Sequence, residues 1–235
     1  MYGMNVKNWP TLCIDLSCAL SCAQVVVANP KTAGVARWIF LALWGSQSQR
    51  KKNGGDEAAL EYVKAVFNNV LVQPRDAREA SDVFYKQKVG DVLLTYENEV
   101  ILTNMHYGDK ALPYVVPPCN IRIECPVSEV DKVLETRPPP VQKAATDFID
   151  FLFSTSAQAE FGKLGFRVNP KISKQAAEQQ TGLPPAKLWD VDTVFGGWAK
   201  AQSRFFNSKM ILDGIQEEIG RRRVEQRKVA KTQKA

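Results

Sequence analysis

A short apolar run, followed at once by a turn and an amphipathic segment, constrains the fold of this 235-residue chain more than any other stretch. Residues 25–28 are Val-Val-Val-Ala, a β-branched run typical of a buried strand. Asn29-Pro30 favours a turn. Apolar residues then recur at helical spacing: Ala36, Ile39, Phe40, Leu43 and Trp44. The sequence therefore predicts a strand, a turn and a helix that begins between Thr32 and Val35.

The start of that predicted helix suits an anion. The first N–H groups of a helix lack intrahelical acceptors and the macrodipole adds partial positive charge, so a phosphate or sulfate fits without a charged side chain. Gly34 allows the backbone to approach a ligand closely. The alternative is that Thr32 only caps an ordinary helix. Residues 29–38 alone are compatible with both interpretations.

Further along, strands and helices continue to alternate, which predicts layered α/β architecture with ligands bound where strand ends meet helix starts. The near-continuous apolar run 89–95 indicates a strand buried on both faces. Residues 137–140, Arg-Pro-Pro-Pro, predict a stiff break in the chain. The other predicted segments are extended at 70–72, 114–117 and 121–123, and helical at 57–68, from Asp76, at 97–103, 141–152, 157–164 and 191–206.

The net charge of +6 comes from the carboxyl-terminal end of the chain. Residues 221–235 carry seven Lys or Arg and one Glu, which leaves 24 basic and 24 acidic residues elsewhere. Such a basic end can contact a polyanion, but a solvated helix extension or a disordered tail is the favoured interpretation. No aromatic residues alternate with these charges, so nucleic acid is not an expected partner.

The cysteines predict neither a metal site nor a disulfide framework. The chain has five cysteines and one histidine, His106. The pairs Cys18/Cys22 and Cys119/Cys125 are not flanked by histidines in a zinc pattern. We therefore expect unpaired thiols, no metal and no other cofactor.

The apolar stretch 11–28 follows Lys7 and raises the possibility of a secretory signal. Asp15 interrupts it, and cleavage near Ala23 would leave a predicted internal strand at the new terminus. A signal is therefore not the favoured interpretation. No run reaches 18 uninterrupted apolar residues, so a membrane span is not expected.

Four ordered motifs carry a resemblance to a known family. Residues 29–38 resemble the Asn-Pro-Lys-Thr-Ser-Gly-Gly-Ala-Arg-Trp signature of the sulfate-binding proteins that serve sulfate and thiosulfate ABC importers. Residues 90–99 are similar to the family's Gly-Asp-Val-Leu strand that ends in Trp-Glu-Asn-Glu, and 194–202 to its Val-Phe-Gly-Gly-Trp block. Residues 76–78 stand where the family has Gly-Ala-Arg. The matches span roughly residues 24–215.

The resemblance implies an α/β fold that is type II periplasmic-binding-protein-like, with two lobes and the ligand between them. The positions before Gln24 are too few for most of the family's N-terminal lobe. We therefore expect an atypical segment at 1–23, a nearly complete second lobe at 24–122, mainly helical returning segments of the first lobe at 123–220, and a basic tail at 221–235.

The resemblance also assigns anion-binding positions. The family's backbone donors correspond to the N–H groups of Gly34, Val35 and Ala77. Its serine hydroxyl falls on Ala33, which has none, and its tryptophan indole on Tyr96, whose hydroxyl is a donor of different reach.

Two arginines match family arginines that lie behind the donor peptides, Arg37 and Arg78. An equal alternative is that each forms a structural salt bridge, with Glu97 or Glu99 as partner. Three tryptophans are expected in the core rather than at the ligand: Trp38, Trp44 and Trp198.

The function implied by the resemblance is binding of sulfate, or a similar tetrahedral oxyanion, as the solute-binding component of an ABC import system with permease and ATPase partners. Its location would be periplasmic or otherwise extracytoplasmic, or the chloroplast in an alga. No nucleophile, base and metal cluster stands together in the sequence, so an enzyme is not expected. The alternative is a truncated, degenerate family member that acts as an interaction protein with weak or no anion binding.

Overall fold

Five strands form the central sheet of the computed structural model, which describes residues 2–6 and 23–232. The strands are β1 (Tyr2–Val6), β2 (Val25–Val27), β3 (Val70–Val72), β4 (Val92–Tyr96) and β5 (Tyr114–Val115), in the spatial order β3-β2-β4-β1-β5. Three thiols lie outside the described residues, those of Cys13, Cys18 and Cys22. Most of the predicted segment 1–23, and with it most of the stretch considered as a secretory signal, lies outside them too.

Strands β2, β3 and β4 run parallel, whereas β1 runs antiparallel to both β4 and β5. Val25 pairs with Val92 and Val27 with Leu94. The side chains of all three β2 residues are buried, as expected for a parallel strand covered on both faces. The predicted strand 89–95 is shifted to Val92–Tyr96, because Gly90 has a φ of +74° and the Gln24 carbonyl accepts the N–H groups that follow it.

Helices follow the strands along the chain. The helices are α1 (Gly34–Ser48), α2 (Asp56–Asn68), α3 (Ala77–Tyr85), α4 (Glu97–Tyr107), α5 (Asp131–Leu134), α6 (Pro139–Leu152), α7 (Thr155–Lys163), α8 (Lys174–Gln179), α9 (Val191–Phe195), α10 (Trp198–Ala201) and α11 (Ile211–Thr232), with a 3₁₀ turn at Gly108–Lys110 and a π-helix at Gln202–Phe206. Strands β6 (Cys119–Ile121) and β7 (Lys187–Trp189) form a second, parallel two-stranded sheet.

An aromatic cluster joins α1 to the carboxyl-terminal part of the chain. The Phe205 ring lies 5.6 Å from the Phe40 ring and 4.9 Å from the Trp44 ring, with edge-on geometry in both cases. Such pairs contribute about 0.5–1.5 kcal/mol beyond the burial of their area. The π-helix therefore packs into the same core as α1.

The prediction of one helix over 191–206 is wrong. Gly196 has a φ of +72° and Gly197 a φ of +98°, and these two residues separate α9 from α10. A glycine in the left-handed region is a common helix terminator. The adjacent glycines were the signal in the sequence, and the apolar periodicity across them obscured it.

The predicted stiff break at 137–140 is also wrong in part. Pro139 and Pro140 form the first turn of α6, where a proline costs little because its missing N–H would have had no helical acceptor. None of the side chains of α6 is buried. Large apolar side chains are exposed on and just after this helix, namely Val141, Phe148, Phe151 and Phe153.

The basic end is helical as far as Thr232, in agreement with the predicted solvated extension. Arg223 Nη2 donates to the carbonyls of Asn68 at 3.0 Å and Val70 at 2.8 Å, so α11 is fastened to the end of α2 and the start of β3. None of the described helices is both long enough and apolar enough to cross a bilayer.

Candidate functional site

Three helices begin at one edge of the central sheet. Because β3, β2 and β4 are parallel neighbours, their carboxyl ends lie at the same edge, and α3, α1 and α4 follow them in the chain. The pairing ends at Val27 with Leu94, two residues before Asn29 and Tyr96 respectively, so both residues lie near this edge. This is the edge at which open α/β sheets bind ligands.

The loop before α1 is held by its own backbone. The Asn29 carbonyl accepts the N–H groups of Thr32 at 3.0 Å and Ala33 at 2.9 Å, and the Asn29 side chain accepts the N–H of Lys31 at 2.9 Å. Within the described chain, no acceptor is recorded for the N–H groups of Gly34 and Val35. The first turn of α1 thus presents free donors.

The loop before α1 is also tied to the loop before α3. The Asn29 N–H donates to the Pro74 carbonyl at 2.8 Å, and the Thr32 hydroxyl donates to the Arg75 carbonyl at 2.7 Å. The interpretation of Thr32 as a helix cap is therefore wrong. Ala33 occupies the N-cap position, with extended backbone and no side-chain cap, and Thr32 instead bridges the two loops.

Arg37 contacts the loop from behind. Its Nε donates to the Pro30 carbonyl at 2.9 Å, its Nη1 donates to Gln202 Oε1 at 3.1 Å, and its guanidinium lies 5.5 Å from the centre of the Phe206 ring. The alternative, a salt bridge from Arg37 to Glu97 or Glu99, is not formed among the described ion pairs. Its orienting role at an anion site stays a prediction.

Helix α3 begins with two side-chain caps on the backbone of its first turn and the preceding loop. Asp76 Oδ1 accepts the Glu79 N–H at 2.9 Å, and Glu79 Oε2 accepts the Arg75 N–H at 2.6 Å. The Glu79 backbone hydrogen bond, opposed by some desolvation, and the nearby Arg75 hold the pKa of Asp76 below its usual value. Among the described residues, the Ala77 N–H has no recorded acceptor, and the exposed Arg78 has no recorded ion pair.

Tyr96 ends β4 and stands at the N-cap of α4. Burial, with smaller contributions from the neighbouring Cys125 and Glu99, raises the pKa of Tyr96 to about 12. Its hydroxyl therefore keeps its proton at neutral pH and can donate a hydrogen bond. Cys125 itself is a free thiol and is exposed, as expected for the unpaired cysteines.

Glu97, next to Tyr96, is the buried charge at this edge and is only 2% exposed. Its carboxylate accepts two bonds of 2.8 Å from Arg167, through Nε and Nη2. Sequence reasoning considered Glu97 only as a partner of Arg37 or Arg78 and missed Arg167. The two residues are 70 positions apart, so no local spacing could reveal the pair.

The tryptophans divide between core and surface. Trp44 is 2% exposed, as predicted, and its Nε1 donates to Asp56 at 3.1 Å. Trp198 is 38% exposed, so its assignment to the core is wrong. It packs edge-on against the partly buried Trp38 with 4.6 Å between the rings. The exposed position follows from the Gly196-Gly197 break immediately before it.

The described residues contain no group of three or more His, Cys, Asp or Glu side chains arranged to hold a metal ion. A cavity of about 360 Å³ opens at the opposite edge of the sheet, beside Gln24, Asn69 and Arg223. The candidate site is instead the surface at the starts of α1 and α3, where backbone N–H groups of the described chain are free, with Tyr96 at the end of the neighbouring strand β4. Free N–H groups at helix starts can hold an anion.

Comparison with known proteins identifies the class to which this chain belongs. Residues 6–167 match the model of the family described as bacterial extracellular solute-binding protein. The chain belongs to this family.

Several individual relatives have names that state a ligand. The sulfate-binding protein of Synechococcus elongatus is 40% identical over 200 residues, which cover 85% of this chain and 55% of that protein. The thiosulfate-binding protein of Pseudomonas aeruginosa is 34% identical over 89% of this chain and 60% of its own length. The structure of the sulfate-binding protein SubI from Mycobacterium tuberculosis aligns with a TM-score of 0.70 and 30% identity, covering 88% of this chain and 68% of that one.

The fold is therefore of the periplasmic-binding-protein type, as predicted. The chain spans somewhat more than half the length of the curated relatives it matches.

Proposed function

We propose that the edge formed by the starts of α1 and α3, together with Tyr96, binds a tetrahedral oxyanion. The observation that carries this proposal is the pair of hydrogen bonds from Asn29 and Thr32 that lock the two loops together. They hold the free N–H groups of Gly34, Val35 and Ala77 at one edge of the sheet, where both helix dipoles favour an anion.

Sulfate is the proposed ligand. A site built mainly from backbone N–H donors favours an anion without a proton, because the proton of hydrogen phosphate would need an acceptor. The names of the relatives, sulfate-binding and thiosulfate-binding proteins, support the same class of ligand. Thiosulfate is a second member of that class with the same donor requirement.

The donor set of this chain differs from the family pattern at two positions, which bears on affinity. Ala33 lacks a hydroxyl, and Tyr96 offers a phenol in place of an indole. Each hydrogen bond lost to a charged ligand costs about 1.5–3 kcal/mol, or roughly a ten- to hundredfold loss of affinity. We therefore propose weaker binding than a site with the full set of donors would give.

The proposed role is that of the solute-binding component of an ABC-type sulfate importer, with a permease and an ATPase as partners and an extracytoplasmic location. It involves binding without bond-breaking chemistry. Family membership supports this assignment.

We also propose that residues 24–122 act as one lobe and that 123–220 belong structurally to the other. The exposed apolar side chains of α6 support this division, since Phe148 is 59% exposed on a helix with no buried residue. Such a face is typical of a helix that packs against a further layer of structure.

Proline substitutions at the first helical residue test the anion site, since they remove one N–H and leave the helix intact. Gly34→Pro fits because the space around Gly34 is open and Ala33 is already extended. In isothermal titration with sulfate we expect Gly34→Pro and Ala77→Pro each to weaken binding about tenfold or more.

Lys174→Pro, the same change at the first residue of α8, is the matched control and should bind as the unchanged chain does. Phosphate serves as the control ligand. Equal sulfate affinity in all four proteins, or no sulfate binding by the folded chain, would contradict the proposed function.

A further inference from the structure

The buried ion pair Glu97–Arg167 affects the charge near the sheet edge at which we propose that an anion binds. Glu97 is the first residue of α4 and directly follows Tyr96, so the residue lies close to the edge where α1 and α3 begin. An unpaired negative charge there would repel an anion through a poorly screened medium. A binding edge for sulfate therefore needs this charge to be neutralised.

Arg167 supplies that neutralisation with well-defined geometry. Its Nε and Nη2 each lie 2.8 Å from a different oxygen of Glu97, the two-pronged arrangement that gives strong and directional ion pairs. Nη2 also donates to the Pro184 carbonyl. The guanidinium is thus held from two sides and its orientation is fixed.

The turn that carries Arg167 is fitted to α4. Gly165, two residues earlier, has a φ of +84°, and a Cβ at this position would lie 3.0 Å from the Ile101 side chain. Ile101 is one helical turn after Glu97, so the 164–167 turn runs alongside the beginning of α4. The Val168 N–H is fixed in turn by Gln180 Oε1 at 3.0 Å.

The charge of the pair also acts on a third residue. The pKa of Tyr114 is raised first by burial and then by the charge of Glu97, an effect that Arg167 opposes. The hydroxyl of Tyr114 is therefore within electrostatic range of the pair.

We propose that Arg167 is a positioning residue of the anion site. It neutralises Glu97 and holds the start of α4, and with it Tyr96, at the binding edge. Arg167 does not contact the anion; it acts through Glu97 and α4. The inference rests on the proposed function for its effect on affinity, whereas its effect on α4 is independent of any ligand.

The test uses Arg167→Met, Glu97→Gln and the double variant in the full chain, with sulfate titrated at low ionic strength. Arg50→Met is the matched control, because Arg50 is exposed near the end of α1 and its removal takes away the same net charge. We expect Arg167→Met to weaken sulfate binding about tenfold or more, through the repulsion of an unneutralised carboxylate.

The decisive comparison is between the two single variants. Both remove the charge pairing, but Glu97→Gln keeps a side-chain oxygen that can accept from Arg167 and so hold α4, and only Arg167→Met leaves a negative charge at the edge. Glu97→Gln should bind within about threefold of the unchanged chain, and the double variant should recover most of the loss, since removal of both charges is far milder than removal of one partner. A double variant as weak as Arg167→Met, or equal losses in both single variants, would overturn the inference.

Amide hydrogen exchange without sulfate separates this inference from the proposed function. We expect Arg167→Met, but not Arg50→Met, to speed exchange at Ile101 and Val168. If the unchanged chain binds no sulfate while this acceleration is seen, the proposed function fails and the positioning of α4 by Arg167 stands. Unchanged exchange would overturn the positioning role itself.

Discussion

At the scale of single residues, Ala33 is the position where this site most clearly lacks a donor. It stands at the N-cap of α1 with extended backbone, a position where serine accepts a hydrogen bond from the first turn. Its methyl group leaves the first turn of α1 without a side-chain cap.

Ala33→Ser is therefore expected to have two gains. The hydroxyl caps α1, which raises stability by about 0.5–2 kcal/mol, and it restores a donor, which strengthens sulfate binding about tenfold. Thermal melting and sulfate titration of the same sample measure both. Ala157→Ser, in the first turn of α7, is the control for an added hydroxyl. A serine at position 33 that stabilises the chain and leaves affinity unchanged would place the Ala33 side chain outside the anion site.

Single residues also mark the limit of what the sequence could predict at the site. The sequence could predict that a helix begins at or near Gly34 and Val35, because an apolar period and a turn locate a helix start within a few residues. The sequence could not predict the contacts of Thr32 and Arg37, because their partners, Arg75 and Gln202, come from distant segments. Local pattern predicts where a backbone donor is free, and tertiary structure decides which side chains support it.

At the scale of elements, the start of α3 is held by two side-chain caps. The Asp76 side chain accepts the Glu79 N–H and the Glu79 side chain accepts the Arg75 N–H, which fixes the orientation of the Ala77 N–H beside the neighbouring loop. The same loop receives the hydrogen bonds from Asn29 and Thr32. The geometry of the anion edge thus depends on this cap.

The Asp76 cap predicts a pH dependence of stability. The pKa of Asp76 is lowered from 3.8 in the folded chain, so its contribution is fully present above about pH 4 and is lost as the pH falls through the folded value. Asp76→Ala should lower the melting temperature at pH 7, and the difference from the unchanged chain should shrink towards pH 2.5. Asp150→Ala, an exposed change on α6, is the control. A difference that is constant with pH would show that the carboxylate charge does not support the cap.

Elements also show why some sequence predictions failed. The alternation of strands and helices through residue 107 is confirmed, because each segment has its own period and its own turn residues. The single helix predicted over 191–206 was broken by Gly196 and Gly197, whose φ values only glycine adopts readily. No local sequence pattern predicted strand β1, since its pairing with β4 and β5 joins segments far apart in the chain.

At the scale of the whole molecule, the two parts of the chain differ in packing. Strands β2, β3 and β4, α1 and the Phe205 cluster form a continuous buried core. In contrast, α6 exposes apolar side chains along its length. The sequence predicted this difference through family resemblance, because amphipathic spacing alone shows that a helix has an apolar face and does not show what covers it.

Binding of sulfate by backbone donors at one sheet edge is tested most directly by amide NMR of the isotopically labelled chain titrated with sulfate. We predict that the amide signals of Gly34, Val35 and Ala77 shift together and saturate with one dissociation constant, while Lys174, at a helix start elsewhere, stays in place. Shifts confined to the basic helix 221–232, or no saturating shift at the three donors, would contradict the claim.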